Sequence, residues 1–125
     1  MGLRPGAVVQ ELGWDEDTDD ELRLDIQEAV GEEFVYEAVD AVDCVLLWWR
    51  EDDGDLADGL VDALTDLGDG GRIWLMTPKI GQPGYVSASD ISEAVLTAGL
   101  AEANTASVSP KWQAHKIVRP KVGRR

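Results

Sequence analysis

The strongest structural pattern in the sequence is an apolar run at residues 42–49, which reads VDCVLLWW and is interrupted only by Asp43. A strand with helices against both faces of its sheet has this near-continuous apolar pattern, because neither face meets water. Successive side chains of a strand point to opposite faces. The run therefore predicts a central parallel strand, with Trp48 and Trp49 on opposite faces and at least one of them in the core.

Strand and helix patterns alternate around this run. A T-x-x-E sequence at Thr18 and an S-x-x-D sequence at Ser87 are typical of helix amino ends, and Gly68, Gly70 and Gly71 predict a turn. Strands are predicted at 7–12, 34–36, 42–49, 72–77, 103–108 and 113–118, and helices at 19–30, at 55–67 and between Ser87 and Gly99.

This alternation predicts an α/β fold of the three-layer Rossmann-like type. Such a fold has a mostly parallel sheet with helices on both faces, and here an antiparallel carboxyl-terminal edge. The length of 125 residues fits one domain. We place this domain at 1–118 and expect residues 119–125 to form a flexible basic tail.

The chain is strongly acidic, with 25 Asp and Glu residues against 11 Lys and Arg residues and a formal charge of −14. Binding to nucleic-acid phosphates needs clustered Lys and Arg, so we expect no direct nucleic-acid partner. Residues 1–70 hold 22 of the acids and only 3 of the bases. Two interpretations remain open: solvated helix faces, or a bipolar surface that orients a protein partner or a second copy of the chain.

The numbers of cysteines and histidines and the lengths of the apolar runs limit the compartments and the chemistry that we expect. The single cysteine, Cys44, excludes an intrachain disulfide framework, and the single histidine, His115, excludes a metal site with several histidines. No run reaches the length of a membrane-spanning helix, and residues 1–10 lack the apolar core of a secretion signal. We therefore expect a cytoplasmic protein with no membrane contact.

Ligands of open α/β sheets bind beyond the carboxyl ends of the strands, and the sequence places cations and aromatic rings there. Arg50 and Lys79 are suited to a phosphate or carboxylate, and the rings of Trp14 and Trp49 to stacking on a planar ligand. The alternative is that the rings belong to the core. The candidate rim consists of residues that end or follow the strands: Trp14, Asp15, Trp49, Arg50, Thr77, Lys79 and Tyr85.

The loop after the first strand lacks the glycines of a nucleotide-binding turn. A dinucleotide or nucleoside cofactor needs G-x-G-x-x-G at this point, so that the backbone can approach the phosphates or ribose, whereas residues 13–18 read GWDEDT. Carboxylates there would repel a pyrophosphate, and no G-K-[ST] sequence of a phosphate-binding loop occurs. We therefore expect no cofactor.

Neither a metal site nor a catalytic group is predicted. The D-x-D-x-D sequence at residues 15–19 begins like a calcium loop, but Asp20 replaces its glycine and Ile26 its bidentate glutamate. The Asp stripe of the second predicted helix is typical of a solvated face. Cys44 lies within the apolar strand, where a thiol is usually inert, and the lone His115 is typical of a structural or exposed residue.

Several segments carry a family resemblance: GLRPG at 2–6, VQELGW at 9–14, VLLWWR at 45–50, DDGDL at 52–56, GGRIWLMTPK at 70–79, Trp112 and Val118. They resemble the actinobacterial domain-of-unknown-function family numbered three-zero-five-two. The resemblance covers nearly the whole chain. It implies a small cytoplasmic protein, with no catalytic residues to carry over.

A more distant similarity is to the second half of class I methyltransferases. Residues 43–49 resemble their fourth strand, and residues 67–78 resemble the glycine turn and fifth strand. The glycine motif that holds S-adenosylmethionine in that class is missing. Only about 30 residues separate the first and central strands, which is too few for the second and third strand units. The similarity therefore implies the fold without methyltransferase activity.

Together these patterns favour a non-catalytic binding or regulatory module that engages a basic protein partner or self-associates. The alternative is a small-molecule sensor, or a degenerate methyltransferase-like enzyme, with its ligand at the candidate rim. A third hypothesis, an acidic mimic of nucleic acid, predicts competition with DNA for a basic protein.

Overall fold

The computed structural model describes residues 3–37 and 41–120, which contain one five-stranded sheet and three α-helices. None of the helices within these ranges is long and apolar enough to cross a membrane. Most of the predicted basic tail, residues 121–125, lies outside the described residues. In chain order the elements are β1 (Val9–Leu12), α1 (Asp20–Val30), β2 (Val42–Trp48), a 3-10 turn (Glu51–Asp53), α2 (Leu56–Ala63), β3 (Leu67–Pro78), α3 (Ala88–Thr97), β4 (Ala101–Ser107) and β5 (Trp112–Val118).

The strand order of the sheet is β1-β2-β3-β5-β4. Strands β1, β2 and β3 are parallel, whereas β5 is antiparallel to both β3 and β4. The predicted α/β class and the antiparallel carboxyl-terminal edge are therefore confirmed. Strand β2 has a parallel neighbour on each side, so its apolar run belongs to an interior strand, although β3 is the central one of the five.

Alternate residues of β2 enter two separate apolar clusters. Cys44 and Leu46 pack with α1, whereas Val45 and Leu47 pack with α2 and α3. The ring of Trp48 is fully buried in the α1 cluster, and the next ring in the chain, at position 49, is partly buried against the other cluster. The predicted division of these two rings between opposite faces is confirmed.

The predicted strand at 34–36 is reduced to one bridge on the outer side of β1. Val35 pairs in parallel with Gln10, while Gln10 also pairs with Val45 of β2 on its other side. From β1 the chain passes through α1 to Val35 on the outer side of β1, and then crosses to β2 on the other side, from which α2 leads on to β3. The bridge at Val35 and strand β2 therefore lie on opposite sides of β1, so the direction of strand addition reverses there.

Two predicted boundaries are wrong for a common reason. Helix α2 ends at Ala63 rather than near 67, and the glycines at 68–71 lie inside β3 instead of in a turn. Leu67 already pairs with Val42, and the register of β2 and β3 shifts between Val42 and Cys44. The residues between Leu67 and Arg72 have no partner in β2 and form an irregular bulge, and pairing on either side of them places this glycine-rich segment within β3.

Helix α1 is capped by Asp19 rather than by Thr18. The Asp19 carboxylate accepts an N–H of the first turn at 3.0 Å, while the Thr18 hydroxyl donates to the Asp15 carbonyl at 2.9 Å. Both residue types are good caps, but the Thr18 side chain is held by the preceding turn. The predicted cap of α3 is confirmed, because Ser87 accepts the Asp90 N–H at 3.2 Å.

Candidate functional site

The residues of the candidate rim do not converge on one pocket. The carboxyl ends of β1, β2 and β3 lie at one edge of the sheet because the three strands are parallel, but their side chains reach different places. Arg50 points back toward the end of β1. Thr77 and Tyr85 line a cavity beside α3, and Lys79 donates to the Ser107 hydroxyl of β4.

The remaining rim residues make local contacts on opposite faces of the sheet. The ring of Trp14 is half exposed and lies 5.8 Å from the Arg23 guanidinium of α1. The Asp15 carboxylate accepts the backbone N–H of the next residue at 2.7 Å. The ring of Trp49 lies on Gly59 of α2. Because α1 and α2 pack on different faces, the two rings do not flank a shared ligand position.

The β1–β2 crevice, which lies between residues 12–14 and residues 48–50, is where this topology binds ligands. Here its two walls touch. A Cβ atom built on Gly13 would lie 2.3 Å from the Trp48 carbonyl oxygen, and the φ angle of Gly13 is +78°. The first loop is therefore packed directly on the end of β2, which leaves no room for a ligand between the two backbones.

The side chain of Arg50 seals the crevice. Its Nε donates to the Asp17 carboxylate at 3.0 Å, and Nη2 donates to the other oxygen of the same group. Its Nη1 donates to the Gly13 carbonyl at 2.7 Å and to Asp53 at 3.3 Å. The guanidinium also lies 5.3 Å from the centroid of the Trp112 ring. The hydrogen bond from Arg50 lowers the pKa of the Asp17 carboxyl, so both partners are charged at neutral pH.

Behind the crevice, a buried carboxylate ties β1, α1 and β2 together. The Glu11 side chain is fully buried and accepts from Arg23 Nε at 2.6 Å and Nη2 at 2.7 Å. It also accepts from the Trp48 indole N–H at 2.9 Å and from the Tyr36 hydroxyl at 3.1 Å. The hydrogen bonds to Glu11 raise the pKa of Arg23, and burial together with the Glu11 charge raises the pKa of Tyr36. Both oxygens of the buried carboxylate are therefore satisfied by the protein.

A cavity of about 530 Å³ opens beside the loop between β1 and α1. We call it the acidic cavity, because one wall carries four carboxylates. No three His, Cys, Asp or Glu side chains within residues 3–37 and 41–120 are grouped so that they could hold a metal ion. The carboxylate wall consists of Glu16, Asp17, Asp19 and Asp20, and the opposite wall of Pro78, Gln82, Pro83, Pro110, Lys111 and Trp112.

A smaller cavity, of about 210 Å³, lies between α3 and the antiparallel part of the sheet. We call it the His115 cavity. The Thr77 hydroxyl lies 3.1 Å from His115 Nε2, and His115 Nδ1 lies 2.8 Å from the Glu102 carboxylate. All three side chains line the cavity, together with Tyr85 of the candidate rim.

The sequence prediction missed His115 and Glu102 as site residues. His115 lies in the predicted strand at 113–118, whereas Glu102 precedes the predicted strand at 103–108. Nothing local indicates which strand of this antiparallel pair lies next to β3. Once β5 pairs with β3, His115 stands opposite Leu75. Its side chain then shares a face of the sheet with Thr77, two residues further along.

Several solved structures with a similar fold are described as methyltransferases. A putative methyltransferase from Thermoplasma acidophilum superposes with a TM-score of 0.61 at 11% identity, over 94% of this chain and 70% of that one. A TehB-like S-adenosylmethionine-dependent methyltransferase from Corynebacterium glutamicum gives 0.55 at 14% identity, over 94% and 83%. An O-methyltransferase of neocarzinostatin biosynthesis, in complex with S-adenosylmethionine, gives 0.57 at 14% identity, over 81% and 37%. The architecture is therefore Rossmann-like.

The chain has mycobacterial relatives. Uncharacterised proteins of Mycobacterium tuberculosis and Mycobacterium bovis are 48% identical over 122 residues, which is 97% of this chain and 77% of theirs. The model of a family described as "Protein of unknown function (DUF3052)" matches residues 1–121. The predicted family resemblance is therefore confirmed, and the chain belongs to the DUF3052 family.

Proposed function

We propose that this protein is a binding or regulatory module, on a three-layer Rossmann-like scaffold, that engages a basic protein segment through the acidic cavity. The observation that carries the proposal is the closed β1–β2 crevice, in which Gly13 and Arg50 occupy the usual ligand position of this topology. A scaffold whose crevice is sealed by its own ion pairs still has its surface available for recognition.

S-adenosylmethionine does not fit this crevice. Solved neighbours are described as dependent on that cofactor or in complex with it, and in open α/β sheets such ligands bind where the strand order reverses. In this chain the loop and strand backbones are in contact there, and Arg50 is held by Asp17 and the Gly13 carbonyl. The loop also carries carboxylates where a cofactor needs close-packed glycines. We therefore derive no methyl transfer at this site.

The acidic cavity matches the chemistry of Lys and Arg side chains. The exposed Glu16 and Asp20 of its carboxylate wall can pair with their charged heads, Asp20 in addition to its ion pair with Arg23. The rings of Pro83, Pro110 and Trp112 on the opposite wall offer apolar surface to their methylene stems. The other acids of residues 1–70 add a long-range field that accelerates encounter with a basic partner. The bases of a second copy have the same chemistry, so self-association is the alternative form of the proposal.

The cytoplasm is the compartment that we propose for this role. The lone cysteine, Cys44, is buried and free, as is usual where thiols stay reduced. Burial raises the pKa of its thiol to about 12, so the group is neutral and unreactive at physiological pH.

Charge reversal on one wall of the acidic cavity tests the proposal. A fluorescent oligolysine peptide is titrated into the protein at low and at physiological salt. The wild type should bind, with an affinity that falls as salt rises. Reversing Glu16 and Asp20 to Lys together should weaken binding about tenfold, which corresponds to about 1.4 kcal/mol, because both residues are exposed and line the cavity.

The matched control reverses Asp58 and Asp62 to Lys on the exposed face of α2, which changes the net charge equally. It should leave the affinity for the peptide within about twofold of wild type, since exposed charges outside the contact contribute little to binding. Equal weakening by both double variants would show attraction to net charge alone and contradict the proposal. Light scattering at low salt distinguishes binding of a basic partner from self-association. Self-association predicts a dimer in the wild type, and the double variant with Glu16→Lys and Asp20→Lys should be a monomer.

A second candidate function, a small-molecule sensor, is favoured by the His115 cavity rather than by the candidate rim as a whole. Thr77 and Tyr85 of the rim line that cavity. Arg50, on which the predicted phosphate or carboxylate site depended, is engaged in the crevice.

A further inference from the structure

A hydroxyl, an imidazole and a carboxylate in the His115 cavity are linked by successive hydrogen bonds. His115 Nδ1 lies 2.8 Å from Glu102 Oε2, and Nε2 lies 3.1 Å from Thr77 Oγ1. A neutral His115 that donates its Nδ1 proton to the carboxylate has its Nε2 lone pair directed at the hydroxyl. Thr77 then donates to Nε2, which is the arrangement of a nucleophile, its general base and an orienting acid.

The surroundings hold this chain of hydrogen bonds in place. Thr77 is 2% exposed and His115 7% exposed, on neighbouring strands β3 and β5. The hydroxyl of Thr105 donates to the same Glu102 oxygen at 3.0 Å. Thr105 of β4 and the imidazole of His115 therefore both hold the Glu102 carboxylate. The imidazole is in turn held against Thr77, so the two side chains need no rotamer change to react.

The cavity has the size and polarity of a site for a small acyl group. Its volume of about 210 Å³ is lined on the apolar side by Val86 and Ile91, which are buried. Ala88, the first residue of α3, also lines it. The amino end of a helix stabilises negative charge, and an attacked ester carbonyl acquires a negative charge on its oxygen.

We propose that the His115 cavity is an acyl-transfer site, in which Thr77 is the nucleophile for small carboxylic esters, His115 the general base and Glu102 its positioning residue. This activity is independent of the acidic cavity and goes beyond the proposed binding function.

In the first step, Thr77 Oγ1 forms a bond to the ester carbonyl carbon while its proton passes to His115 Nε2. The bond from that carbon to the leaving oxygen breaks, and the leaving oxygen takes the proton from His115 and departs as the alcohol. In the second step, water attacks the acyl-Thr77 ester and gives its proton to His115. The Thr77 oxygen leaves, recovers that proton, and the carboxylic acid is released. Ester and water are the only reactants.

The test follows p-nitrophenyl acetate, a small activated ester, by release of p-nitrophenolate and by peptide mass mapping. The wild type should carry an acetyl group on Thr77 and turn the ester over. Thr77→Val should lose both, whereas Thr77→Ser should retain them. Glu102→Gln, at an exposed residue, should keep the fold and lower the rate about 10²- to 10⁴-fold, the range for losing the orientation of a general base.

The matched control is Thr97→Val at the exposed end of α3, which should react as the wild type does. Circular dichroism shows whether each variant is folded. If Thr77→Val is unfolded, Thr77→Ser still tests the role of the hydroxyl, because it should be acetylated at position 77 and turn the ester over. Acetylation confined to lysines would overturn the proposal. So would a wild-type rate equal to that of folded Glu102→Gln, since the hydrogen bonds would then be structural only.

Discussion

Replacing Glu11 with Gln should lower the free energy of unfolding by about 3 kcal/mol, a large fraction of the stability of a small domain. The Glu11 side chain is fully buried and accepts from both the Arg23 guanidinium and the Trp48 indole. Without its charge, the guanidinium, whose side chain is only 18% exposed, keeps only the exposed carboxylate of Asp20 as a counter-charge. Urea unfolding followed by tryptophan fluorescence measures the loss.

Two matched variants show whether the effect belongs to the buried pair. Glu28→Gln, on the exposed side of α1, the helix that carries Arg23, should change stability by less than about 0.5 kcal/mol. Adding Arg23→Met to Glu11→Gln should recover part of the loss, because no buried charge is then left unpaired. A double variant that loses the sum of the two single effects would contradict a coupled ion pair.

Replacing Gly13 with Ala should also cost about 3 kcal/mol or more. The new Cβ would lie 2.3 Å from the Trp48 carbonyl oxygen, and this contact is between backbone groups that no side-chain rotation can relieve. The left-handed φ angle of +78° adds about 1–2 kcal/mol for any residue with a Cβ. The same urea unfolding experiment measures the cost, and the variant tests how tightly the crevice is closed.

Gly31→Ala is the control for the backbone angle. Gly31 has a φ of +77°, but a Cβ there would meet no described atom within 4 Å. Its substitution should therefore cost only about 1–2 kcal/mol, from the backbone conformation alone. Equal costs at the two positions would mean that the first loop does not press on the end of β2.

The elements that the sequence predicted correctly are those with local patterns. The apolar run of β2 and the Ser87 cap of α3 each depend on neighbouring residues, and both are confirmed. The order of the last two strands depends on long-range pairing, so the position of β5 between β3 and β4 could not be predicted. The glycines at 68–71 show the same limit, because pairing at Leu67 and Arg72, on either side of them, places their irregular segment within β3.

The candidate site was less predictable than the fold. Arg50 was correctly placed after β2, at the edge where ligands bind, but its partner Asp17 is 33 positions away. In a sequence with 25 acidic residues, no pattern identifies which carboxylate a given arginine meets. The same holds for Glu11, which lies in the predicted strand at 7–12, although no local pattern indicates that Arg23 and Trp48 will enclose it.

The closed crevice is tested most directly by titrating isotope-labelled protein with S-adenosylmethionine and following its backbone amide NMR signals. Closure of the β1–β2 crevice by Gly13 and Arg50 predicts that the amide signals of Gly13, Trp49 and Arg50 stay unchanged at millimolar ligand. Saturable shifts centred on these three residues would show an open crevice that binds the cofactor, and would contradict the account.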